Sequence, residues 1–339
     1  MNLHFETLEL STRQPFGIAR WTHSQYSRTF VSLEHEGLTG YGEAAPNAYY
    51  GETCGTVQAV LPDLVSVVQD PWDWEGLSAR MSSILPHGHP SVRCALEMAS
   101  LDWCARSVGL PVWKLLGLSG TPVPESSFTI SLASLDDMRS QTREALKAGY
   151  TILKVKLGTD RDVAILEALR EEAPRCRLRV DANAAWSRSE ARRMLTVLAV
   201  HEVELLEQPL VAGDLEGHAE LRRRSPLPLV ADESLSGLGA LPALAGAFDA
   251  VNLKLAKLGG PLQALKALAL ARSFGMNVMM GCMVESSLGI SAATHLSGLV
   301  DWVDLDGALL LAEDPFQGLE WQGGQVFRPM RAGWGVERA

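Results

Sequence analysis

The chain has 339 residues, of which 47% are hydrophobic and 21% charged, and its formal net charge is −10. These values are ordinary for a globular protein with a large core, and the excess of acid argues against a nucleic-acid partner, which needs a basic face. No apolar run reaches the ~18 residues that span a bilayer, and the N-terminus lacks the basic and apolar regions of a secretory signal. Five dispersed cysteines without C-x-x-C spacing favour free thiols, so we expect a cytoplasmic protein.

The first ~115 residues predict an α+β unit. Segments of alternating apolar and polar residues come first, and those on either side of the turn at 34–40 read as a β-hairpin. Helical patterns follow between residues 56 and 109.

From residue 126 the pattern changes to a regular alternation of strands and helices. This alternation predicts parallel β/α units that close into a (β/α)8-type barrel. A doubly wound sheet is disfavoured because no G-x-G-x-x-G turn occurs. A bare barrel needs only ~250 residues, so a separate N-terminal domain accounts for the surplus. The eight strand-like runs are 126–130, 151–157, 177–183, 203–209, 228–234, 250–256, 277–283 and 302–307.

Charged side chains mark the ends of the predicted strands. In a barrel of this kind the catalytic groups lie at the carboxyl ends of the strands. A buried unpaired charge is unfavourable by several kcal/mol, so these groups must compensate one another or bind something. The polar and charged strand-end residues are Lys154, Lys156, Asp181, Asn183, Glu207, Asp232, Glu233, Lys254, Asp304 and Asp306.

Three of these acids, Asp181, Glu207 and Asp232, end three consecutive strands. Neighbouring strands lie ~4.8 Å apart, so three carboxylates at equal heights can converge on one point. Carboxylates without a histidine or cysteine suit a hard cation with oxygen ligands, and Mg²⁺ fits best. The alternative is ordinary ion pairing with nearby lysines and arginines.

Lys154 and Lys156 lie two residues apart on one predicted strand and therefore share a face. At ~6.6 Å and an effective dielectric constant of ~20, they repel by roughly 2.5 kcal/mol, which is expected to lower one pKa by up to ~2 units. A nearby divalent cation acts in the same direction, towards the pKa range of a general base.

Lys254 is predicted to face Lys156 across the barrel mouth. Strand alternation places Lys254 on the same face as Asn252, which favours it over Lys257. One lysine on each side of a metal-bound carboxylate substrate suits 1,1-proton transfer. One lysine removes the α-proton, the metal stabilises the enediolate, and the other lysine returns a proton to the opposite face.

Six motifs, in this order and spacing, resemble the muconate-lactonizing branch of the enolase superfamily: KVK, VDAN, EQP, ADES, NLKLAKLGG and DLDG. PFGIAR and GYGEAAP extend the resemblance to the N-terminal part. Within the branch the sequence is most similar to the L-Ala-D/L-Glu (dipeptide) epimerases. The resemblance implies an N-terminal α+β capping domain at 1–115, a modified TIM barrel, (β/α)7β, at 116–310, and a C-terminal segment at 311–339 that returns to the cap.

The resemblance also implies a reaction. It is epimerisation at the α-carbon of a dipeptide's C-terminal residue, with one Mg²⁺ per subunit. Lys156 and Lys254 are the expected acid–base pair, and Lys154 is expected to hold the substrate carboxylate.

Further roles concern the two ends of the dipeptide. The D-x-D pair, Asp304 and Asp306, is implied to bind the α-ammonium group, and Arg20 in PFGIAR is the candidate contact for a Glu side chain. Asn183 is expected either to be a ligand of the metal or to lie beside the ligands, as a supporting or turn residue. Independently of the family, two carboxylates opposite a metal suit a substrate with a cation at one end and a carboxylate at the other.

Four side chains carry less specific signals. Glu233 follows Asp232 directly and is expected to serve the structure unless the strand has already ended. Tyr49 and Tyr50 are candidates for the pocket lining, and Glu285 has no assigned role.

Several alternatives stay open on the sequence alone. Three alternatives use the same scaffold: an o-succinylbenzoate synthase, a muconate-type cycloisomerase and an N-acylamino acid racemase. The D-x-D pair distinguishes the epimerases from these enzymes. A Schiff-base lyase using a lysine nucleophile is a different enzyme class. A binding or scaffold protein has no use for charge at six strand ends. The expected partner is a small dipeptide, with neither nucleic acid nor membrane and with self-association into a homo-oligomer left open.

Overall fold

The computed structural model describes residues 1–339 and begins with a three-stranded antiparallel sheet covered by helices on one face. This part, the cap, has its own core of 16 buried residues, including Val31, Leu61 and Ala95. Its elements are β1 (Asn2–Ile18), β2 (Trp21–His35), β3 (Leu38–Ala44), a 3₁₀ turn (Ala48–Tyr50), α1 (Cys54–Leu64), α2 (Trp74–Ile84) and α3 (Pro90–Ser107).

The first hairpin is longer than the sequence pattern indicates. β1 and β2 stay paired as far as Ile18 opposite Trp21, so Arg20 lies at the hairpin tip. A register shift between Ser11 and Phe16 interrupts the alternation that would have revealed the strand. The tip contacts the barrel at Gly17, where a Cβ would lie only 2.4 Å from Leu132 O, so glycine is required.

The eight predicted barrel strands are all present, and the predicted barrel-plus-cap fold is confirmed. They form one parallel sheet in chain order, and a bridge between Ser126 and Val303 joins its first and last members. The strands are β4 (Phe128–Ile130), β5 (Ile152–Lys156), β6 (Arg177–Asp181), β7 (Val203–Glu207), β8 (Leu229–Ala231), β9 (Ala250–Leu253), β10 (Asn277–Gly281) and β11 (Trp302–Asp304).

Helices fill the connections and pack outside the strands. Several begin at a side-chain cap: Ser134 accepts from Asp137 N and Ser187 from Glu190 N. The helices are α4 (Val112–Leu115), which precedes the barrel, then α5 (Leu135–Lys147), α6 (Asp162–Glu172), α7 (Arg188–Val200), α8 (Leu215–Arg224), α9 (Leu241–Leu244), α10 (Leu255–Leu258), α11 (Pro261–Ser273) and α12 (Ser287–Leu296), with 3₁₀ turns at Leu238–Ala240 and Ser297–Leu299. None is both long and apolar enough to cross a lipid bilayer.

The period-two alternation of the strands divides the barrel residues into two sets. One set, with Leu153 and Val180 among it, joins a core of 66 buried residues that includes the helices. The other set includes a small apolar cluster of Leu205, Val230, Ala250 and Met279. The charged strand ends lie beyond this cluster towards the carboxyl ends of the strands, which is where the site is built.

After β11 no long helix follows; instead the chain returns to the cap. A 3₁₀ turn (Asp306–Leu310) leads to a bridge between Leu311 and Thr12, and Phe316 packs with ring centroids 5.4 Å from Phe30 and 5.6 Å from Tyr41. The remaining strands are β12 (Phe316–Gln317), β13 (Glu320–Gln322), β14 (Gln325–Phe327) and β15 (Glu337–Arg338). This chain path holds the cap over the carboxyl ends of the barrel strands.

Candidate active site

A cavity of about 500 Å³ lies between the barrel mouth and the cap. The barrel contributes Lys156, Lys254 and Asp306 to its lining, and the cap contributes Arg20 and Tyr50. A small molecule in this cavity would therefore contact both parts of the protein.

The three predicted metal ligands lie together at the floor of the cavity, which Asp232 helps to line. Asp181 ends β6 in register with Glu207, which ends β7, and Asp232 follows the last residue of β8. One oxygen from each carboxylate lies within 4.8 Å of the other two, and all three side chains are buried. Three carboxylates without nitrogen or sulfur donors form a suitable ligand set for a hard divalent cation.

Glu207 shows why this cluster fits a cation. Its Oε1 accepts a 2.7 Å hydrogen bond from Asn252 Nδ2. Its buried Oε2 lies 2.7 Å from Lys154 Nζ but receives no well-directed hydrogen bond. Burial, together with the charge of Asp181, raises the pKa of Glu207 to about 7. A buried acceptor that remains underused in an acidic cluster is what a cation ligand requires, so the residues fit Mg²⁺.

Lys154 and Lys156 differ in how they are held. Lys156 Nζ has one acidic partner, Asp181 Oδ2 at 2.6 Å. Lys154 Nζ lies among three carboxylates, 2.7 Å from Asp304 Oδ2, 2.7 Å from Glu207 Oε2 and 3.3 Å from Asp181 Oδ2.

The acids around the lysines change the expected electrostatics. Burial lowers the pKa of Lys154, but Asp304, Glu207 and Asp181 outweigh burial and raise it well above the ordinary value. Repulsion between the two ammonium groups therefore does not dominate at Lys154, contrary to the expectation from the strand alone. Burial likewise opposes ionisation of Asp181, and Lys156 and Lys154 nevertheless lower its pKa to about 2.

On the opposite side of the acid cluster a second lysine pair contacts Asp232. Lys254 Nζ lies 2.7 Å from Asp232 Oδ2 and faces the cavity. Lys257 Nζ lies 2.7 Å from Asp232 Oδ1 and is almost completely buried. The two ammonium groups outweigh the effect of burial and lower the pKa of Asp232 well below its ordinary value.

Asp304 and Asp306 both line the cavity, on the Lys154 side of the mouth. Asp304 is already occupied, since Oδ1 accepts from Ser127 Oγ at 2.7 Å and Oδ2 from Lys154 Nζ at 2.7 Å. Asp306 is hydrogen-bonded by Thr129, whose backbone N–H donates to Oδ2 at 2.6 Å, and by no lysine or arginine. Burial, together with the charge of Asp304, raises the pKa of Asp306 to about 7. A carboxylate that is buried and short of cationic partners is suited to receive a cation from a ligand.

Arg20 reaches from the hairpin tip down to the barrel. Its Nη1 donates to the carbonyl of Asn183, its Nη2 donates to Glu233 Oε1 at 2.8 Å, and its guanidinium lies 4.6 Å from the Tyr49 ring centroid. Glu233 faces the cavity alongside Asp232 because β8 ends at Ala231 and strand alternation no longer applies. The arginine is thus paired with a protein carboxylate in this structure.

Asn183 supports the acids around it. It adopts a positive φ of 45°, and its backbone N–H donates to Asp181 Oδ1 at 2.8 Å while Nδ2 donates to Glu233 Oε1 at 3.3 Å. Both tyrosines proposed for the pocket line the cavity, and Tyr50 Oη lies 3.5 Å from Asp232 Oδ1.

The sequence missed the part of the cavity wall that comes from the long hairpin. The only available signal was a short alternation of large residues in β2, which the polar residues between them obscured. The hairpin residues that line the cavity besides Arg20 are Phe16, Ile18, Trp21, His23, Tyr26 and Arg28. Glu285, in contrast, turns back into its own loop, where Oε1 accepts from Met283 N at 2.7 Å.

Comparison with known proteins extends over almost the whole chain. Residues 4–117 match the N-terminal domain model of the mandelate racemase/muconate lactonizing enzymes, and residues 137–338 match the enolase C-terminal domain-like model.

Alignments with individual relatives also cover nearly the whole chain. The chain is 38% identical to an L-Ala-D/L-Glu epimerase of Bacteroides thetaiotaomicron over 96% of this chain and 85% of the relative. It is 37% identical to a hydrophobic dipeptide epimerase of Roseobacter litoralis over 96% and 95% of the two chains. The crystal structure of a dipeptide epimerase from Enterococcus faecalis, complexed with Mg and L-Leu-L-Tyr, is similar with a TM-score of 0.94, 29% identity and 99% of both chains covered.

Proposed function

Because the chain belongs to the mandelate racemase/muconate lactonizing enzyme family of the enolase superfamily, we propose that it is a Mg²⁺-dependent dipeptide epimerase of the L-Ala-D/L-Glu type. It is an isomerase that inverts the α-carbon of the dipeptide's C-terminal residue by 1,1-proton transfer. The relatives named as epimerases, the acid cluster and the cavity between cap and barrel support this assignment.

The observation that carries the proposal is the pair of singly held lysines. Lys156 and Lys254 both line the cavity, and each is held by one carboxylate of the acid cluster, Asp181 and Asp232 respectively. Inversion needs a group on each face of the α-carbon, one to take the proton and one to return it. A lysine with a single side-chain acid partner can leave that partner for a substrate at little cost in hydrogen bonds.

Asp181, Glu207 and Asp232 would hold the metal ion. When bound, Mg²⁺ supplies positive charge that draws electron density from a substrate carboxylate and so acidifies the neighbouring α-proton. Asn252 and Asn183 orient two of the ligands, through hydrogen bonds to Glu207 and Asp181. Lys154, between Asp304 and Glu207, would neutralise charge near the substrate carboxylate.

The two ends of the cavity favour a free dipeptide. Asp306, assisted by Asp304, would accept the α-ammonium group, which the acyl substrates of related racemases and the precursors of muconate-type products lack. Arg20 would meet an acidic side chain of the C-terminal residue after exchanging its partner Glu233 for the substrate. Deprotonation and reprotonation then occur between the two lysines, in the cavity beneath the cap.

The direct test is incubation of the purified protein with L-Ala-L-Glu and Mg²⁺ in D₂O. We expect deuterium at the Glu α-carbon, measured by mass spectrometry, and the appearance of L-Ala-D-Glu, measured by chiral chromatography. N-acetylated amino acids and N-acetylated dipeptides, which lack a free amine, distinguish the epimerase from an N-acylamino acid racemase. Dipeptides with aromatic and cationic second residues test the preference for an acidic side chain. Exchange only with N-acylated substrates would contradict the dipeptide assignment.

Some wider properties stay proposals. A cytoplasmic location is supported by the five free cysteines. A role in cell-wall peptide metabolism follows only from the L-Ala-D/L-Glu chemistry, and self-association into a homo-oligomer is likewise proposed without a contact that specifies it. The domain bounds 1–115, 116–310 and 311–339 stay predictions.

A further inference from the structure

Lys257 is a buried lysine that contacts the acid cluster but does not line the cavity. Its Nζ donates to Asp232 O at 2.7 Å, to Asp232 Oδ1 at 2.7 Å and to Asn252 O at 3.1 Å. An ammonium group has three N–H donors, so all of them are used. Lys257 therefore joins the ends of β8 and β9 and is fixed in place.

Lys254 has the opposite character although it contacts the same carboxylate. It immediately precedes α10, whose single turn places Lys257 three residues later on the same side. The two lysines reach different oxygens of Asp232, and Lys254 Nζ has only that one hydrogen-bond partner. Lys254 faces the cavity, where a substrate can replace Asp232 as its partner.

The burial of Asp232 explains what the second lysine contributes. A buried carboxylate that loses its only cationic partner is strongly unfavourable. If Lys254 were the sole partner of Asp232, leaving it for a substrate would strand that charge whenever the metal is absent or weakly bound. With Lys257 in place, Asp232 stays paired and hydrogen-bonded while Lys254 moves.

We propose that Lys257 is a positioning residue that holds Asp232, which frees Lys254 to exchange between Asp232 and the substrate. The inference rests on the proposed function for the role of Lys254 and on the acid cluster for the role of Asp232. Tyr50 of the cap covers this arrangement, with its ring centroid 5.9 Å from Lys257 Nζ and its hydroxyl 3.5 Å from Asp232 Oδ1. The cap thus keeps water away from the fixed lysine.

A metal titration tests the inference without any substrate. Mg²⁺ binding is measured by calorimetry for the wild type, Lys254→Met, Lys257→Met and the double variant. When Lys257 is absent, Lys254 is held on Asp232 and competes with Mg²⁺. Lys254→Met should therefore strengthen Mg²⁺ binding more in the Lys257→Met background than in the wild type, and we expect the two factors to differ by at least about fivefold. The same factor in both backgrounds overturns the inference, and so does the absence of Mg²⁺ binding by the wild type.

Solvent exchange supplies the second readout. Deuterium uptake from D₂O into both diastereomers of Ala-Glu is compared for Lys257→Met and Lys254→Ala. Lys254→Ala should slow exchange of one diastereomer. We expect Lys257→Met to slow exchange of that same diastereomer by about tenfold or more and to leave the exchange rate of the other unchanged. Equal loss for both diastereomers, or no loss, overturns the inference.

Controls separate this result from misfolding and from failure of the proposed function. Lys266→Met removes an exposed lysine on α11 and should leave both diastereomers unchanged. If Lys257→Met does not fold, Lys257→Gln keeps hydrogen-bond donors without the charge and should show the same asymmetry. If the wild type exchanges neither diastereomer, the proposed function fails, and the calorimetric cycle still decides the role of Lys257.

Discussion

The two sides of the barrel mouth each hold a pair of lysines against the acid cluster, but they do so with different local structure. On the β5 side, Lys156 is held by one carboxylate and Lys154 by three. On the β9 side, Lys254 has one partner, and Lys257 uses all three of its donors. Each side therefore has one fixed lysine and one that is free to exchange its partner.

The difference lies in what the fixed lysine touches. Lys154 joins two metal-ligand candidates to the D-x-D acid Asp304, so it connects the acid cluster to the proposed ammonium site. Lys257 Nζ donates hydrogen bonds only to Asp232 and to the carbonyl of Asn252, so it acts within one side. A change at Lys154 should disturb the whole mouth, whereas a change at Lys257 should disturb one face of the substrate.

Removal of a metal ligand should erase the difference between the sides, and it should have the largest effect. Glu207 forms no hydrogen bond with Lys156 or Lys254, so Glu207→Gln leaves both exchangeable lysines with their own partners. We expect a loss of about 10³-fold or more in kcat/KM for both diastereomers and a matching loss of Mg²⁺ affinity by calorimetry. Loss confined to one diastereomer would contradict the shared role of this acid.

Substitution of Asp306 should act on substrate selection and not on either face. Its hydrogen bonds come from Thr129 alone, so Asp306→Asn keeps an acceptor for the Thr129 backbone N–H and removes the charge meant for the ammonium group. We expect kcat/KM for free dipeptides to fall by ~10²-fold while an N-acetylated dipeptide loses almost nothing. Steady-state kinetics with both substrates measures this, and equal losses would show that Asp306 does not recognise the amine.

A smaller change is expected from the partner of Arg20. Because Glu233 holds Nη2 at 2.8 Å, it competes with an acidic side chain of the substrate for the guanidinium. Glu233→Gln should lower KM for L-Ala-L-Glu by roughly 3–10-fold, the scale of a partly exposed ion pair, and leave KM for a neutral second residue unchanged. The control Arg20→Met should abolish the preference for the acidic substrate. An unchanged ratio of the two KM values in Glu233→Gln would remove Arg20 from side-chain recognition.

The smallest effect on catalysis is expected at the joint between cap and barrel, which serves both sides equally. Glu97 of α3 accepts from Leu262 N at 2.6 Å, at the start of α11, and burial raises its pKa to about 8. Between the ordinary pKa of 4.5 in the unfolded chain and the folded pKa, the native state binds more protons than the unfolded state. The free energy of unfolding is therefore highest at acidic pH and falls as pH rises towards 8.

Glu97→Gln should therefore remove this pH dependence. We expect the variant to be more stable than the wild type at pH 8, on the order of 4 kcal/mol, and to lose most of that advantage at pH 5. Thermal unfolding at the two pH values measures the difference. The ratio of exchange between the two diastereomers should stay that of the wild type; a changed ratio would mean that the joint acts on one side of the mouth.

The strand-borne part of the site could be predicted from the sequence because strand geometry is regular. A period of two places Lys154 and Lys156 on one face, and a fixed repeat of strands brings Asp181 next to Glu207. These positions follow from local pattern alone, and so did the barrel itself.

The rest depended on where strands end and on contacts between distant segments. Strand alternation does not predict that Lys257 shares the side of Lys254, because the strand ends at Leu253 and a helical turn brings the two lysines to the same side. Glu233 faces the cavity for the same reason. Only the family resemblance points to Arg20, since nothing local indicates that its hairpin continues to Ile18 or that its partners lie more than 150 residues away.

The central claim is that two opposed lysines each serve one face of the substrate. The measurement that tests it is deuterium uptake into L-Ala-L-Glu and L-Ala-D-Glu, in D₂O with Mg²⁺, by Lys156→Ala and by Lys254→Ala. In each variant the rate of epimerisation should fall by about 10²–10⁴-fold. Each variant should still exchange the α-proton of one diastereomer, and the two variants should retain exchange of opposite diastereomers. Loss of exchange of the same diastereomer in both variants, or full epimerisation by either, would contradict the account.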